Sequence, residues 1–375
     1  MGQPLPATVI DNALNYAVAL AKQGTRGANP LVGAVILDAD ASTVATGYHR
    51  GAGTPHAEVE ALNALATKFP DNDRPNPAEL TMVVTLEPCN HVGRTGPCSQ
   101  AIIDAGIGTV IYAVIDPDPA AAGGADTLRA AGVTVHHHST HAGANALNER
   151  WSAAKRNHRP FVSVKIAQSL DGKIAAADGS SQWITGDRSR DHAHHVRSIV
   201  DAIVVGTGTV LADDPALSAR LRTRGNYTLG GEQNTHVLAD QQPLRVIMGE
   251  RPIETTAKIF TEPGGETLQL NTREPRTVLT ALADRGVEHV LIEGGAHITS
   301  AFLAEGLADE IYLYQAPLLI GSGTDQAAHN SIRSLNNQSL QQAWDTQAYQ
   351  IEDAQPLGPD ILIRLVPKPP ATPKN

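Results

Sequence analysis

The chain has 375 residues, 41% of them hydrophobic and 18% charged, which suits two or three packed domains and excludes a chain that is disordered through most of its length. Its 29 Lys+Arg against 39 Asp+Glu give a formal charge of −10, and aromatics are only 4%. With no run of basic residues, there is neither a phosphate-backbone footprint nor a base-stacking platform, so no nucleic-acid partner is expected.

In chain order, apolar residues at helical spacing over 8 to 22, stopped by Gly24, predict an opening helix. Strands are expected over 31 to 37 and 43 to 48, a helix over about 55 to 68, and strands over 80 to 86 and 109 to 115 around a helix over 99 to 104. A helix over 126 to 131 and a strand over 133 to 137 follow. This alternation predicts a sheet covered by helices for residues 1–150. The polar stretch 145 to 160 ends in Pro160 and places a boundary near Arg159, with a second α/β domain over residues 160–375. That domain opens on the strand FVSVKIA. It continues with a helix over 187 to 198, strands over 202 to 205, 244 to 248, 267 to 270 and 289 to 292, and a helix over 276 to 285. Residues 222 to 242 are polar and aperiodic, the expectation being a surface excursion. No apolar run approaches the roughly 18 residues of a membrane span and no export or lipid signal is visible, so a soluble, cytoplasmic protein with no membrane partner is expected.

Pro55-His56-Ala57-Glu58 opens a predicted helix, and both cysteines of the chain lie downstream, as Pro88-Cys89 and Pro97-Cys98. A zinc deaminase needs three His or Cys ligands, an open position for water, and a glutamate that moves protons without touching the metal. His56, Cys89 and Cys98 supply such a ligand set and Glu58 supplies the glutamate. Each cysteine follows a proline at an expected helix start, where the helix dipole favours thiolate. Two bland alternatives exist: cysteines buried as small hydrophobes beside a surface histidine, or a closed structural site with His91 as fourth ligand. Eight residues separate the cysteines, where the common nucleobase deaminase signature leaves two. The loop between them carries Asn90, His91, Gly93, Arg94 and Gly96, groups suited to a polar or phosphorylated substrate.

In the segments NPLVGAVI (29–36), GYHRGAGTPHAEVEAL (47–62) and TLEPCNHVGRTGPC (85–98) the chain resembles the deaminase half of the bifunctional riboflavin biosynthesis deaminase/reductases. That family usually has Ser at the place of Asn90 and Pro at the place of Gly96. The resemblance implies a cytidine-deaminase-like α/β/α domain with one Zn2+ on His56, Cys89 and Cys98. It also implies Glu58 as proton shuttle, and Asn29 and His49 near the substrate.

In the second half, Gly206-Thr207-Gly208 does not complete a dinucleotide fingerprint, because Leu211 stands at the third glycine position and Pro215 breaks any long helix. Ile292-Glu293-Gly294-Gly295-Ala296 ends a strand in glycines before a helix, where exposed N–H groups would hold a phosphate; an ordinary β-to-α turn is the alternative. VKIAQSLDGKIA (164–175), SQWITG (181–186), GTGTVLADDPALSAR (206–220), EGGA (293–296) and APLLIG (316–321) resemble the reductase half of the same family, a dihydrofolate-reductase-like α/β domain. The resemblance implies NADPH at Ala167, Trp183, Thr209, Asp213 and the turn Gly295, Ala296, His297, Ile298, Thr299, Ser300 and Ala301. It implies the sugar phosphate at Ser181, Arg197, Leu217, Arg220 and Glu293, with Lys165 also on the substrate side. Arg197 and Arg220 suit a phosphate fork in an acidic chain, and Lys165 with Asp213 is the expected proton-handling pair. His136, His137 and His138 are expected at a solvated strand end, since alternating faces cannot converge on one ion. Trp151 is expected to pack on a linker helix.

The implied reaction is hydrolytic deamination of a diaminopyrimidinone ribosylamine phosphate, a small molecule, followed by reduction of its ribosyl group to ribityl by NADPH. A homo-oligomer is expected. Two competing readings are a free-base or tRNA deaminase with an unrelated appended domain, and a binding module with a structural zinc and a degenerate nucleotide pocket.

Overall fold

The computed structural model describes residues 5–25, 29–51, 53–69, 75–91, 96–223, 235–321 and 349–368. The chain divides into two compact units, Met1–His158 and Arg159–Asn375.

In the first unit α1 (Ala7–Ala21) precedes β1 (Gly33–Leu37), β2 (Thr43–Tyr48), α2 (Ala57–Lys68), β3 (Thr81–Leu86), α3 (Cys98–Asp104) and β4 (Thr109–Val114). Then come α4 (Gly124–Ala130), β5 (Thr134–His137), α5 (Ala142–Leu147) and α6 (Glu149–Asn157). One sheet runs in the order β2-β1-β3-β4-β5, with β1 antiparallel to both neighbours and β3, β4 and β5 parallel. Strand alternation turns Ala34, Ile36, Met82, Val84 and Val110 toward Ala61, Ile102 and Leu128 of α2, α3 and α4. It turns Val35, Val83 and Ile111 toward Leu14 and Ala17 of α1 and Leu147 of α5. Burial on both faces explains why these strands read as continuous apolar runs. Leu14, Ile36, Met82, Ile102 and Leu128 are fully buried, each stabilising by about 1.5–3 kcal/mol relative to exposure. Trp151 on α6 packs against the core on the α2–α4 side. His136 is exposed, His137 stacks on Tyr112 and His138 pairs with Asp11, so the three successive histidines have separate surroundings.

The second unit contains β6 (Phe161–Gln168), α7 (Asp187–Ser198), β7 (Ala202–Gly206), α8 (Thr207–Asp213), β8 (Arg220–Thr223), β9 (Thr235–Leu238), β10 (Leu244–Met248) and α9 (Lys258–Thr261). It continues with β11 (Thr267–Leu270), α10 (Pro275–Ala283), β12 (His289–Ile292), α11 (Ala296–Ala304), β13 (Glu310–Gln315), β14 (Tyr349–Leu357) and β15 (Asp360–Pro367). Eight strands form the order β11-β10-β7-β12-β6-β13-β15-β14. The first six are parallel and β15 and β14 close that side antiparallel. Val164, Val204, Val246 and Ile292 face Leu279 and Leu282 of α10 and Phe302 of α11. Ile203, Val205, Ile247 and Leu291 face Val196 of α7, Val210 of α8 and Ile259 of α9.

Two polar networks fix this sheet. At the amino ends of β12, β6 and β13, the buried Ser163 hydroxyl donates to Glu310 and accepts from His289, while Arg364 donates to the other Glu310 oxygen at 2.9 Å. On β15, buried Asp360 accepts from the Gly186 N–H and Ser189 hydroxyl at 2.7 and 2.6 Å, capping the start of α7. The expected excursion at 222 to 242 is not wholly irregular. Its flanks pair as the β8–β9 hairpin, tied to α7 because Arg222 and His236 both meet Asp191; residues 224 to 234 lie outside the described residues. No described helix is long and apolar enough to cross a membrane.

Candidate active sites

His56 is the N-cap residue of α2, Cys98 opens α3, and Cys89 lies in the loop after β3. Their ligand atoms all lie within 4.8 Å of one another, with His56 Nδ1 3.5 Å from Cys89 Sγ and 3.2 Å from Cys98 Sγ. Tetrahedral zinc with ordinary bond lengths asks for about 3.5 Å between nitrogen and sulfur, so the donors already stand near their coordinating separations. Contact with the Cys98 thiol, and then with the His56 ring, holds Cys89 down at about 4, while the neighbouring Cys89 sulfur pushes Cys98 up. Two sulfurs competing for one proton are the electrostatics a divalent cation resolves, since it favours thiolate at both. His91 is exposed and outside this cluster, so the closed four-ligand alternative finds no support. The helix-start argument holds for Cys98 only. Cys89 is held instead by the Cys98 N–H donating to its sulfur at 3.4 Å.

Glu58, one residue into α2, is buried beside both cysteines, and burial pushes its carboxyl up to about 7. Asn29 and His49 come together at 3.0 Å. The Pro55 carbonyl, 3.1 Å from Nδ1, requires a proton there, which leaves Nε2 to accept from the Asn29 amide. Burial favours that neutral ring by lowering the His49 pKa. The loop carrying Cys89 is braced from behind. Buried Glu87 accepts from the N–H groups of Asp116, Gly123 and Ala125 at 3.1–3.3 Å. Gly124 comes so close that a Cβ would stand 1.8 Å from the Pro88 carbonyl oxygen. Of the intervening loop, Gly93 and Arg94 lie outside the described residues, and Asn90 accepts from the Ser99 hydroxyl at 2.9 Å.

In the second unit a cavity of about 880 Å³ opens at the carboxyl ends of the parallel strands, the position where open α/β sheets bind ligands. Ser181, Thr209, Asp213, Gly295, Ala296, His297, Ile298 and Ala301 line it. Four residues expected at the dinucleotide do not: Trp183 is 67% exposed under the Arg190 guanidinium, Thr299 and Ser300 are buried in α11, and Ala167 packs into the core. Leu217 is likewise buried in that core.

Arg197 grips Glu293 through two bonds of 2.6 and 2.8 Å, with Lys165 Nζ 3.6 Å from the same carboxylate. Burial pushes the Glu293 carboxyl up, but the Arg197 and Lys165 charges outweigh it and hold it at about 2. The expected open phosphate fork therefore does not form at Arg197, whose guanidinium is taken by Glu293 and the Ser218 carbonyl. Lys165 pairs with Glu293, whereas Asp213 accepts from Ser181 at 3.3 Å. Arg220 is exposed on β8, 3.4 Å from His194. Thr207, Met248, Gly249, Arg251 and Arg273 also line the cavity. These were missed by sequence reasoning, although Met248, Gly249, Arg251 and Arg273 stand at or just past the ends of two predicted strands.

Comparison with known proteins fits both units. Residues 8–114 match the cytidine and deoxycytidylate deaminase zinc-binding region and residues 160–352 the RibD C-terminal domain. The riboflavin biosynthesis protein RibD of Mycobacterium tuberculosis is 41% identical over 361 residues, covering 95% of this chain and 97% of that protein. The chain belongs to the RibD family. RibD of Escherichia coli is 34% identical over 93% of this chain and 97% of its own. The structure of Acinetobacter baumannii RibD matches with TM-score 0.79 at 33% identity, over 96% of this chain and 99% of that one. That of a Thermotoga maritima diaminohydroxyphosphoribosylaminopyrimidine deaminase/5-amino-6-(5-phosphoribosylamino)uracil reductase matches at 0.79 and 28%, with the same coverage. As a RibD-family member the chain is a bifunctional deaminase and reductase of riboflavin biosynthesis, acting on a small pyrimidine with zinc in the first region and NADPH in the second. Coverage of nearly the whole chain by RibD relatives sets aside the unrelated appended domain and the degenerate binding module.

Proposed function

We propose that residues 1–150 hydrolytically deaminate a diaminopyrimidinone ribosylamine phosphate at a zinc held by His56, Cys89 and Cys98, and that residues 160–375 reduce the ribosyl group of the product to ribityl with NADPH. The observation that carries the first half is the convergence of one imidazole and two thiols beside a buried glutamate. Zinc, when bound, lowers the pKa of water at its open position toward about 7. Glu58 accepts the proton of the attacking water and returns it to the amino nitrogen, which leaves as ammonia while the ring carbon becomes a carbonyl. His49 fixes the orientation of the Asn29 amide, and Asn29 holds the pyrimidine edge through its carbonyl oxygen and its remaining N–H.

In the reductase, NADPH when bound supplies the hydride for the opened ribosylamine carbon. Lys165 is the proton source on the substrate side, kept in place by Glu293. Arg197 neutralises that carboxylate so that it stays ionised in a buried place, and Arg220, exposed on β8, takes the sugar phosphate. Ammonia release and NADPH consumption followed in one reaction, with and without a zinc chelator, test the reading. Chelation should stop both when the diamino substrate is supplied and should spare reduction when the deaminated product is supplied. Ammonia release that persists after zinc is removed refutes it.

We further infer a cytoplasmic location, which the two free cysteines support because a reducing compartment keeps such thiols available to metal. We also infer a homo-oligomer, which the outermost strand β14 supports with its exposed Ile351. Light scattering of the purified chain tests the latter, and a monomer at micromolar concentration overturns it.

A further inference from the structure

Asn29 stands just ahead of β1, and the chain between them is anchored at Leu31 by a distant side chain. The buried Leu31 N–H donates to Asn148 Oδ1 at 2.9 Å, and Asn148 Nδ2 donates back to the Leu31 carbonyl at 2.7 Å. This reciprocal pair reproduces one rung of an antiparallel ladder, with a side chain in place of the neighbouring strand. Asn148 and Leu31 are 6% and 3% exposed, so neither can turn to water instead. Two bonds continue the anchorage toward the sheet: the His49 N–H donates to the Val32 carbonyl at 3.0 Å, and the Gly33 N–H to the buried Thr85 hydroxyl on β3 at 3.2 Å.

Asn148 lies 117 residues from Leu31 in the sequence, at the junction of α5 and α6. An asparagine at the start of a helix ordinarily caps it by accepting from an N–H of the first turn. Among the described residues the Asn148 side chain gives α6 no such cap, although its backbone carbonyl accepts from the Ser152 N–H at 2.7 Å. The amide is committed to Leu31 instead. We propose that Asn148 is a positioning residue of the deaminase, its amide fixing Leu31 and so setting where Asn29 meets the pyrimidine. That role rests on the reading of Asn29 as the residue that holds the pyrimidine edge.

The link from Leu31 to Asn29 is short and stiff. Pro30 locks its own φ at about −65° and confines the residue before it, Asn29, to extended backbone. Leu31 is packed in the core shared by α1, β1 and α5, where Leu147, the neighbour of Asn148, also lies. A shift at Leu31 is therefore carried to Asn29 with little slack. The zinc ligands stand on other segments, at the starts of α2 and α3 and in the loop after β3. Deleting the Asn148 amide strands two buried backbone groups. The segment can satisfy them only by moving, which spoils the 3.0 Å contact between Asn29 and His49.

Steady-state deamination of the diaminopyrimidinone ribosylamine phosphate by the full chain tests this through a double-mutant cycle on Asn148 and Asn29. Asn148→Ala should lower kcat/KM by about tenfold to a hundredfold, chiefly as a raised KM, with zinc content and NADPH-dependent reduction of the deaminated product unaltered. In the Asn29→Ala background the same change should lower kcat/KM by less than about twofold, because the side chain it positions is gone. Should Asn148→Ala lose its fold by circular dichroism, Asn148→Asp carries the cycle. It keeps the volume and the acceptor for the Leu31 N–H but sets an oxygen against the Leu31 carbonyl. A loss of the same size with and without Asn29, an unchanged kcat/KM, or a fall in zinc content or in reduction overturns the positioning role while leaving Asn29 at the pyrimidine. Asn29→Ala with wild-type kcat/KM overturns the reading of Asn29, and the role of Asn148 with it.

Discussion

Arg197→Met is the most demanding test of the reductase electrostatics. The Arg197 and Glu293 side chains are 15% and 10% exposed, so deleting the guanidinium strands a carboxylate out of water. Breaking a buried pair from one side costs about 3–5 kcal/mol. Lys165 at 3.6 Å remains, which puts the expectation near the lower figure. The carboxyl gives the same size independently: its fall from 4.5 to about 2 corresponds to about 3 kcal/mol. Because Glu293 is held below its unfolded value, this stabilisation is fully present above about pH 4.5 and is lost as the pH falls through about 2. Calorimetric melting should therefore show the reductase transition about 6–12 °C lower in the variant at neutral pH, with the deficit shrinking between pH 5 and pH 2. Glu293→Gln added to Arg197→Met should recover most of the loss, since no charge is then stranded. A neutral-pH deficit under about 1 kcal/mol, or one that does not change with pH, would show that water reaches the pair and that the reasoning is wrong.

Other expectations concern both units. Gly124→Ala places a methyl against the Pro88 carbonyl and should cost about 1–3 kcal/mol, while weakening zinc retention against a chromophoric chelator; unaltered retention would mean that α4 does not brace the Cys89 loop. Glu58→Gln should lower ammonia release by about 10²–10⁴-fold with zinc content near one per chain, and turnover close to wild type would remove Glu58 from the proton path. Asp360→Ala removes both hydrogen bonds at the start of α7 and should destabilise the second unit by about 1–3 kcal/mol, seen as a lower second calorimetric transition with zinc content unaltered.

Sequence reasoning reached furthest where one segment carries its own signal. The doubly buried strands β3 and β4 are apolar runs whatever their partners, and His56, Glu58, Cys89 and Cys98 are residue types whose chemistry announces itself. It stopped where placement depends on distant partners. β14 is exposed along nearly its whole length and contains Pro356, so no hydrophobic period marks it, and only pairing with β15 makes it a strand. The β8–β9 hairpin is short, charged and held by Asp191 on another element. Arg197 read as a free cation because nothing in the local sequence reveals that Glu293, 96 residues on, occupies it. Arg251 and Arg273 follow ordinary strands and become noticeable only when the sheet order puts those strands side by side.

The reductase sheet keeps its two ends apart in purpose. Its amino ends are locked by Ser163, His289, Glu310 and Arg364, far along the strands from the residues that line the cavity. Strand registry and ligand choice can thus drift or be redesigned separately. Loops after β7, β10, β11 and β12 should accept exchange between relatives with little thermal penalty, whereas exchanging the residues that open β12 and β13 should unravel alignment without touching a single substrate contact.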